Sequence, residues 1–387
     1  MISGISVAGV TVGTMALIIV LSVFNGFESL IVSLFNSFNP DLIITVKKGK
    51  TFDLTTFPLS DIKKLPGVYA VTEVVEENAL LKYRNNQYLA TIKGVSQDYE
   101  KTSGLDTMLI EGSFNLYEYN QPRMIMGAGI AYYLNASLQD QLYPITVYLP
   151  RREGAVTMSP EQAFNSKNLF PSAVFSIQQD FDSKYAIVPL DFVRELMNYQ
   201  NEVTSLELKI TEGYPVEDIK TKIKSIVGTS FEVKNRFEQQ ALLYKVMKSE
   251  KWAIFFILTF ILIIAAFNVI SSLTMLILDK KQDIAILHSM GANTQLIKKI
   301  FLLEGMLISI GGAILGLVFG GLVSWIQQKF EIIRLGGGSG AFVITAYPVE
   351  LQIFDFLIVF FTVIVIGWIV AWYPVHQISK KYLLYQY

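Results

Sequence analysis

The chain has 387 residues, of which 52% are hydrophobic and only 17% charged, and its mean hydropathy is +0.41. A net charge of −1 gives no basic field for nucleic acid, and the lack of cysteine excludes disulfides, thiolate metal sites and cysteine nucleophiles. With His288 and His376 the only histidines, a histidine-rich metal site is not expected, and the composition fits a membrane protein carrying a sizeable water-soluble portion.

Residues 1–27 hold no charge before Glu28. The run has no basic n-region and is longer than the roughly 7–15 apolar residues of a signal peptide, so it reads as a retained membrane helix. Gly9 and Gly13 form a G-x-x-x-G within it, and "ESLIVSLFNSF" prolongs the helical pattern to about residue 38, where Asn39-Pro40 ends it. Residues 39–245 then read as a mixed α/β domain. "DLIITV" and "LYPITVYL" are strand-like, and Ala79 to Val95 is a hairpin around Arg84-Asn85-Asn86-Gln87. "PLDFVRELMNY" and "PVEDIKTKIKSIVG" have helical apolar spacing, while 150–184 is less regular and is the expected insertion or arm.

A second uncharged run, Trp252 to Leu278, lies within a predicted transmembrane helix over 246–278. Its Asn268, Ser271 and Ser272 are expected to hydrogen-bond between helices. The two uncharged runs are 27 residues each, about 40 Å as helices, longer than a bilayer core of about 30 Å. Both are therefore expected to emerge as stalks that hold the large domain from its two ends. Phe24, Phe27, Phe255 and Phe256 sit near the outer halves of these spans and are expected to pack against lipid or to line a lipid cavity.

Residues 279–300 form a short charged segment. Gln282 and Asp283 favour a helix start, Ile284, Leu287 and Met290 give an apolar stripe, Gly291 is a stop, and Asn293 caps the next helix. Such a short helix rests on lipid headgroups or seats in a groove of a partner. A third transmembrane helix is expected over 301–326, with Gly312, Gly316 and Gly320 on one face for close packing, within the chain or against another subunit. Glu304 is the one carboxylate expected near membrane depth, and its plain explanation is a boundary pair with a lysine. A loop over 327–355, a fourth helix over 356–375 and a tail over 376–387 complete the chain. Lys280, Lys281, Lys298, Lys299, Lys380 and Lys381 place the 279–300 segment and the tail in the cytoplasm. The fold class is thus a membrane protein of four transmembrane helices, with a large extracytoplasmic mixed α/β domain between the first and second.

No G-x-x-x-x-G-K-[ST], H-E-x-x-H or G-x-S-x-G motif is present, so neither a catalytic site nor an ATP site is expected in this chain. "GISVAGVTVGTMALIIVLSVFNGFE", and residues 250–292 ending in "DKKQDIAILHSMGA", resemble the first two spans of the lipoprotein-releasing ABC permeases of LolC/LolE type, within the MacB/FtsX-like permease superfamily. "IKGV" at Ile92, "MGAGIAYYL" at Met126 and "FLLEG" at Phe301 are similar as well. The likeness spans nearly the whole chain and is weakest over 150–240. Family members usually have a basic cytoplasmic segment before the first span, and here there is none, which suggests a native start further upstream.

The resemblance implies that Asp283, Ile284, Ala285, Ile286, Leu287, Met290 and Gly291 belong to a coupling helix docked on a separate cytoplasmic ABC ATPase, which would bind ATP and magnesium. It further implies a bacterial inner membrane location and a second permease copy or paralogue. Outer-membrane lipoproteins would be drawn from the membrane lipids into a cavity between the first and second spans, then passed to a periplasmic lipoprotein chaperone. MacB-like export and FtsX-like control of cell-wall hydrolases share this topology and are the rival readings. A membrane-tethered binding protein would leave the coupling helix without a purpose.

Overall fold

The computed structural model describes residues 2–140, 142–151, 164–334 and 346–383, and the chain divides into two units, 32–242 and 1–31 with 243–387. The elements begin with α1 (Ile2–Phe38), β1 (Leu42–Val46), β2 (Phe52–Asp53), α2 (Leu59–Lys63), β3 (Val68–Tyr83), β4 (Asn86–Val95), α3 (Tyr99–Thr102), β5 (Leu109–Gly112) and β6 (Tyr117–Glu118). Next come β7 (Gln121–Gly127), α4 (Ala128–Leu134), β8 (Ile145–Pro150), β9 (Phe164–Phe175), α5 (Gln179–Asp182), β10 (Tyr185–Pro189), α6 (Leu190–Met197), β11 (Glu202–Val203) and β12 (Ser205–Ile210). The last are α7 (Val216–Val227), β13 (Phe231–Asn235), α8 (Arg236–Gln239), α9 (Ala241–Asp279), α10 (Lys281–Ser289), α11 (Thr294–Phe330) and α12 (Ile353–Leu383).

The 32–242 unit is built on one mixed sheet in the order β13-β1-β12-β3-β4-β10-β7-β9-β5. β12 is nearly all buried, as a strand covered on both faces must be, whereas β13 and β5 are edges. α6 turns Leu190, Val193 and Leu196 onto the sheet, and α7 does the same with Ile219 and Ile223. The predicted hairpin is β3–β4, but its loop is two residues rather than four, because Asn86 already pairs with Tyr83. Arg84 takes φ 52° there, and its guanidinium bonds Asp140 and lies 4.5 Å from the Tyr143 ring centre. Tyr83 donates to the same carboxylate at 2.6 Å, which ties the turn to the loop before β8.

At the centre of this sheet is a buried charge. Lys93 on β4 reaches Glu207 on β12 at 2.6 Å and Glu76 on β3 at 3.8 Å, and its ammonium lies 4.6 Å from the Phe38 ring. Burial opposes the charge, yet the facing Glu207 carboxylate, with Tyr99 and Glu76 beside it, holds the Lys93 pKa above its ordinary value. Phe38 also packs against Phe181 and Tyr185, so the end of α1 is anchored by an aromatic cluster over a buried ion pair. The 150–184 stretch expected to be irregular contributes β9, a full strand of the sheet; 152–163 lie outside the described residues.

In the other unit, α1, α9, α11 and α12 are each long and apolar enough to cross a membrane. α1 continues unbroken to Phe38, as the sequence suggests. The third helix starts at Thr294, where the Asn293 side chain accepts from Leu296 N at 2.8 Å and caps it as expected, and it runs through the 301–326 span to Phe330. α12 runs on past residue 375 to Leu383 with Pro374 inside it.

Candidate functional site

Helix α10 ends in a motif that the sequence spells out. Gly291 adopts φ 94°, its N–H donates to His288 O at 3.0 Å, and Ala292 N donates to Leu287 O at 3.0 Å, the paired bonds of a Schellman stop. A β-carbon at Gly291 would meet nothing within 4 Å, so glycine is needed for its backbone and not for space. At the other end Asp283 pairs with Lys280 at 2.9 Å and keeps the lysine pKa above its usual value.

The apolar face differs from the expected stripe. Ile284 turns toward the helix ends and packs with Ile277, Ile297, Phe301 and Val375. Ile286 and Met290, one helical turn apart, stand 59% and 79% exposed, with Leu287 beside them at 39%. Ala285 is half-buried. The sequence pattern placed Ile284 and Leu287 on one stripe; packing against α9, α11 and α12 takes Ile284 away and leaves Ile286 in its stead. The result is a short helix closed by a Schellman stop, with Ile286 and Met290 largely exposed and Leu287 partly so.

The glycine spacings are spent within the chain. β-carbons at Gly312, Gly316 and Gly320 would lie 2.7 Å from Val10, 2.5 Å from Thr14 and 3.1 Å from Ile18, so this face of α11 receives α1 and is not open to another subunit. Gly9 and Gly13 face α9, the latter with Leu262 at 2.8 Å. Gly305 and Gly367, which the spacing did not reveal, bring α11 and α12 together against Ala371 and Ser309. Asn268 bonds α1 through its backbone carbonyl, which accepts from Ser6 Oγ at 3.0 Å, and the residue itself is exposed. Ser271 bonds back to Phe267 O in its own helix, and Ser272 Oγ is buried with no hydrogen-bond partner among the described residues.

The four phenylalanines are not brought together. Phe27 meets Tyr347 edge-on at 5.1 Å, Phe255 is half-buried against the helix core, and Phe256 is exposed beside Trp252. Phe24 is half-buried. Among the described residues no ring contact joins the α1 pair to the α9 pair. Glu304 has no ion pair among the described residues, contrary to expectation. The buried carboxylate of the bundle is Asp355, paired with Lys251 at 3.2 Å.

Among known protein families, the MacB-like periplasmic core domain model matches residues 3–226, and the FtsX-like permease C-terminal model matches 255–383. A lipoprotein-releasing system transmembrane protein LolC of Buchnera aphidicola is 24% identical over 97% of this chain and 91% of its own length. A LolE of Haemophilus influenzae is 25% identical, covering 98% of this chain and 92% of its own. A LolC of Neisseria meningitidis serogroup B reaches 28% over 84% and 77%. Among solved structures, the periplasmic region of MacB from Actinobacillus actinomycetemcomitans matches 54% of this chain and 94% of its own at 17% identity, with a TM-score of 0.36. The first family model alone spans more than half of the chain, and the two together leave few residues unmatched. The chain is thus a multi-pass membrane protein with a periplasmic α/β domain, and it belongs to the MacB/FtsX-like permease superfamily as a permease of LolC/LolE type.

Proposed function

We propose that this chain is the permease subunit of an ABC transporter that extracts outer-membrane lipoproteins from the bacterial inner membrane. A separate cytoplasmic ATPase, with its own ATP and magnesium, supplies the work through α10. A second permease, identical or paralogous, completes the membrane part, and a periplasmic chaperone takes the cargo. The observation that carries this reading is the exposed Ile286, Leu287 and Met290 face on a helix with a defined stop, in a chain that matches LolC and LolE relatives over nearly its whole length.

Docking these side chains in a partner's groove would contribute about 1.5–3 kcal/mol for each one fully buried, before the cost of association. The Schellman stop and the Asn293 cap favour work at that point, since a helix end that frays would absorb a displacement instead of passing it on. Residues within the chain serve to receive and transmit movement; the chemistry belongs to the ATPase. In the test, Leu287→Asp and Met290→Asp should abolish co-purification of an ATPase while the thermal midpoint of the solubilised chain stays unchanged. An ATPase that remains bound to both variants would remove α10 as the docking element. A cell-wall hydrolase recovered in place of acylated lipoproteins would favour a non-transporting transducer.

A further inference from the structure

A polar cluster that the coupling helix does not involve joins three helices at the periplasmic end of the bundle. Asn25 on α1 is 1% exposed and Asp355 on α12 is 5% exposed, among otherwise apolar helices. Asn25 Nδ2 donates to Asp355 Oδ2 at 2.6 Å, and Lys251 on α9 donates to Asn25 Oδ1 at 2.8 Å. The same ammonium donates to Gln352 Oε1 at 3.3 Å and forms an ion pair with Asp355 Oδ1 at 3.2 Å. The segment before α12 closes over the group. Glu350 N donates to Ser22 O at 2.9 Å, and the Pro348–Val349 backbone crosses at Gly26, where a β-carbon would collide with Pro348.

Opening the cluster would strand the Asp355 carboxylate in a low-dielectric setting. α1 and α9 also meet at three levels. Ser6 bonds Asn268, Gly13 receives Leu262, and Asn25 bonds Lys251. From Ser6 to Asn25 is about 28 Å along the helix, close to a whole hydrocarbon core.

We infer that Asn25, Lys251 and Asp355 are positioning residues that clamp the periplasmic ends of α1, α9 and α12 into one body throughout the working cycle. Movement driven from α10 then reaches the periplasmic side undivided. This inference rests on the permease reading, since a clamp matters only where helices transmit work.

The chain has no cysteine, so Asn25→Cys with Lys251→Cys can be bridged by a short bis-methanethiosulfonate reagent in the assembled transporter and released by reductant. The unbridged double variant is expected to continue hydrolysing ATP while its lipoprotein release per ATP falls about fivefold or more, because the clamp is gone. Bridging is expected to restore the ratio, and Lys251→Arg to retain it. Loss of release on bridging would overturn the inference, since the cluster would then have to open; a ratio unaffected in both forms would overturn it too. Failure of the reagent to link the two positions would contradict the geometry itself. Heat stability of the detergent-solubilised chain is the second readout, expected to drop in the unbridged variant and recover on bridging. That readout holds even if the unsubstituted chain releases no lipoprotein, a result that would count against the permease reading alone.

Discussion

Gly316→Ala places a carbon 2.5 Å from Thr14 Cβ and 2.7 Å from the Thr11 carbonyl oxygen, where ordinary contact begins at 3.4 Å. Neither is the far end of a flexible side chain, and the oxygen is helix backbone, so α1 and α11 must part by roughly 1 Å near this point. Overpacking of this kind costs about 1–3 kcal/mol, offset by about 1 kcal/mol of helix propensity that alanine regains over glycine. Gly311 is the internal control: it lies on the same helix, and an added β-carbon meets nothing within 4 Å, so Gly311→Ala should be neutral or stabilised by up to about 1 kcal/mol. The two variants should therefore differ by about 1–3 kcal/mol, with Gly312→Ala close to Gly316→Ala and Gly320→Ala milder, because its nearest contact is 3.1 Å. Denaturant unfolding of each variant in one mild detergent, followed by circular dichroism, reads the order. Equal stability of Gly316→Ala and Gly311→Ala would refute the packing of α1 into the glycine face of α11.

Three further outcomes can be measured on the same chain. Lys93→Met should destabilise the 32–242 unit by about 3–5 kcal/mol, since Glu207 is left buried without its partner, and adding Glu207→Leu should recover most of the loss; a double variant no better than the single would count against this. The Asp140 carboxyl is held below its usual range chiefly by the Tyr83 hydroxyl, with the Leu142 amide and Arg84 also acting against desolvation. It therefore favours the folded state above the ordinary aspartate pKa, and that contribution is lost as pH falls through the lowered value, so Asp140→Asn should flatten the acid limb of a stability-against-pH curve; an unaltered limb would show the contact to be unimportant. Asn293→Ala should cost about 0.5–2 kcal/mol by removing the α11 cap, seen as faster amide exchange at Leu296, and unchanged exchange would argue that the cap is not formed in solution.

Local signals accounted for much of what the structure holds. Apolar length marked the four spanning helices, Gly291 and Asn293 marked the break between α10 and α11, and alternating residues marked the β3–β4 hairpin. These depend on neighbours in sequence, which one chain read alone supplies. The clasp was hidden for the opposite reason. Asn25 is 226 residues from Lys251 and 330 from Asp355, and each read alone is an ordinary polar residue near the end of a span. Glu304 drew attention because it stood inside an apolar run, while the carboxylate that is actually paired stood at the edge of one. The α10 stripe shows a third limit: periodicity put Ile284 with Leu287, but which face of a short helix meets its own protein is decided by packing from Ile277, Ile297, Phe301 and Val375. Glycine spacing likewise announced close helix contacts without naming the partner, which proved to be α1 for one face and α9 for the other.

The most direct measurement is reconstitution of the purified chain, with whatever ATPase accompanies it, into liposomes loaded with an acylated outer-membrane lipoprotein. A lipoprotein-extracting permease should move that lipoprotein into the soluble fraction when ATP and a periplasmic chaperone are supplied, and Leu287→Asp should abolish the release. ATP hydrolysis that leaves every lipoprotein in the bilayer, with the chaperone present, would contradict the proposed function.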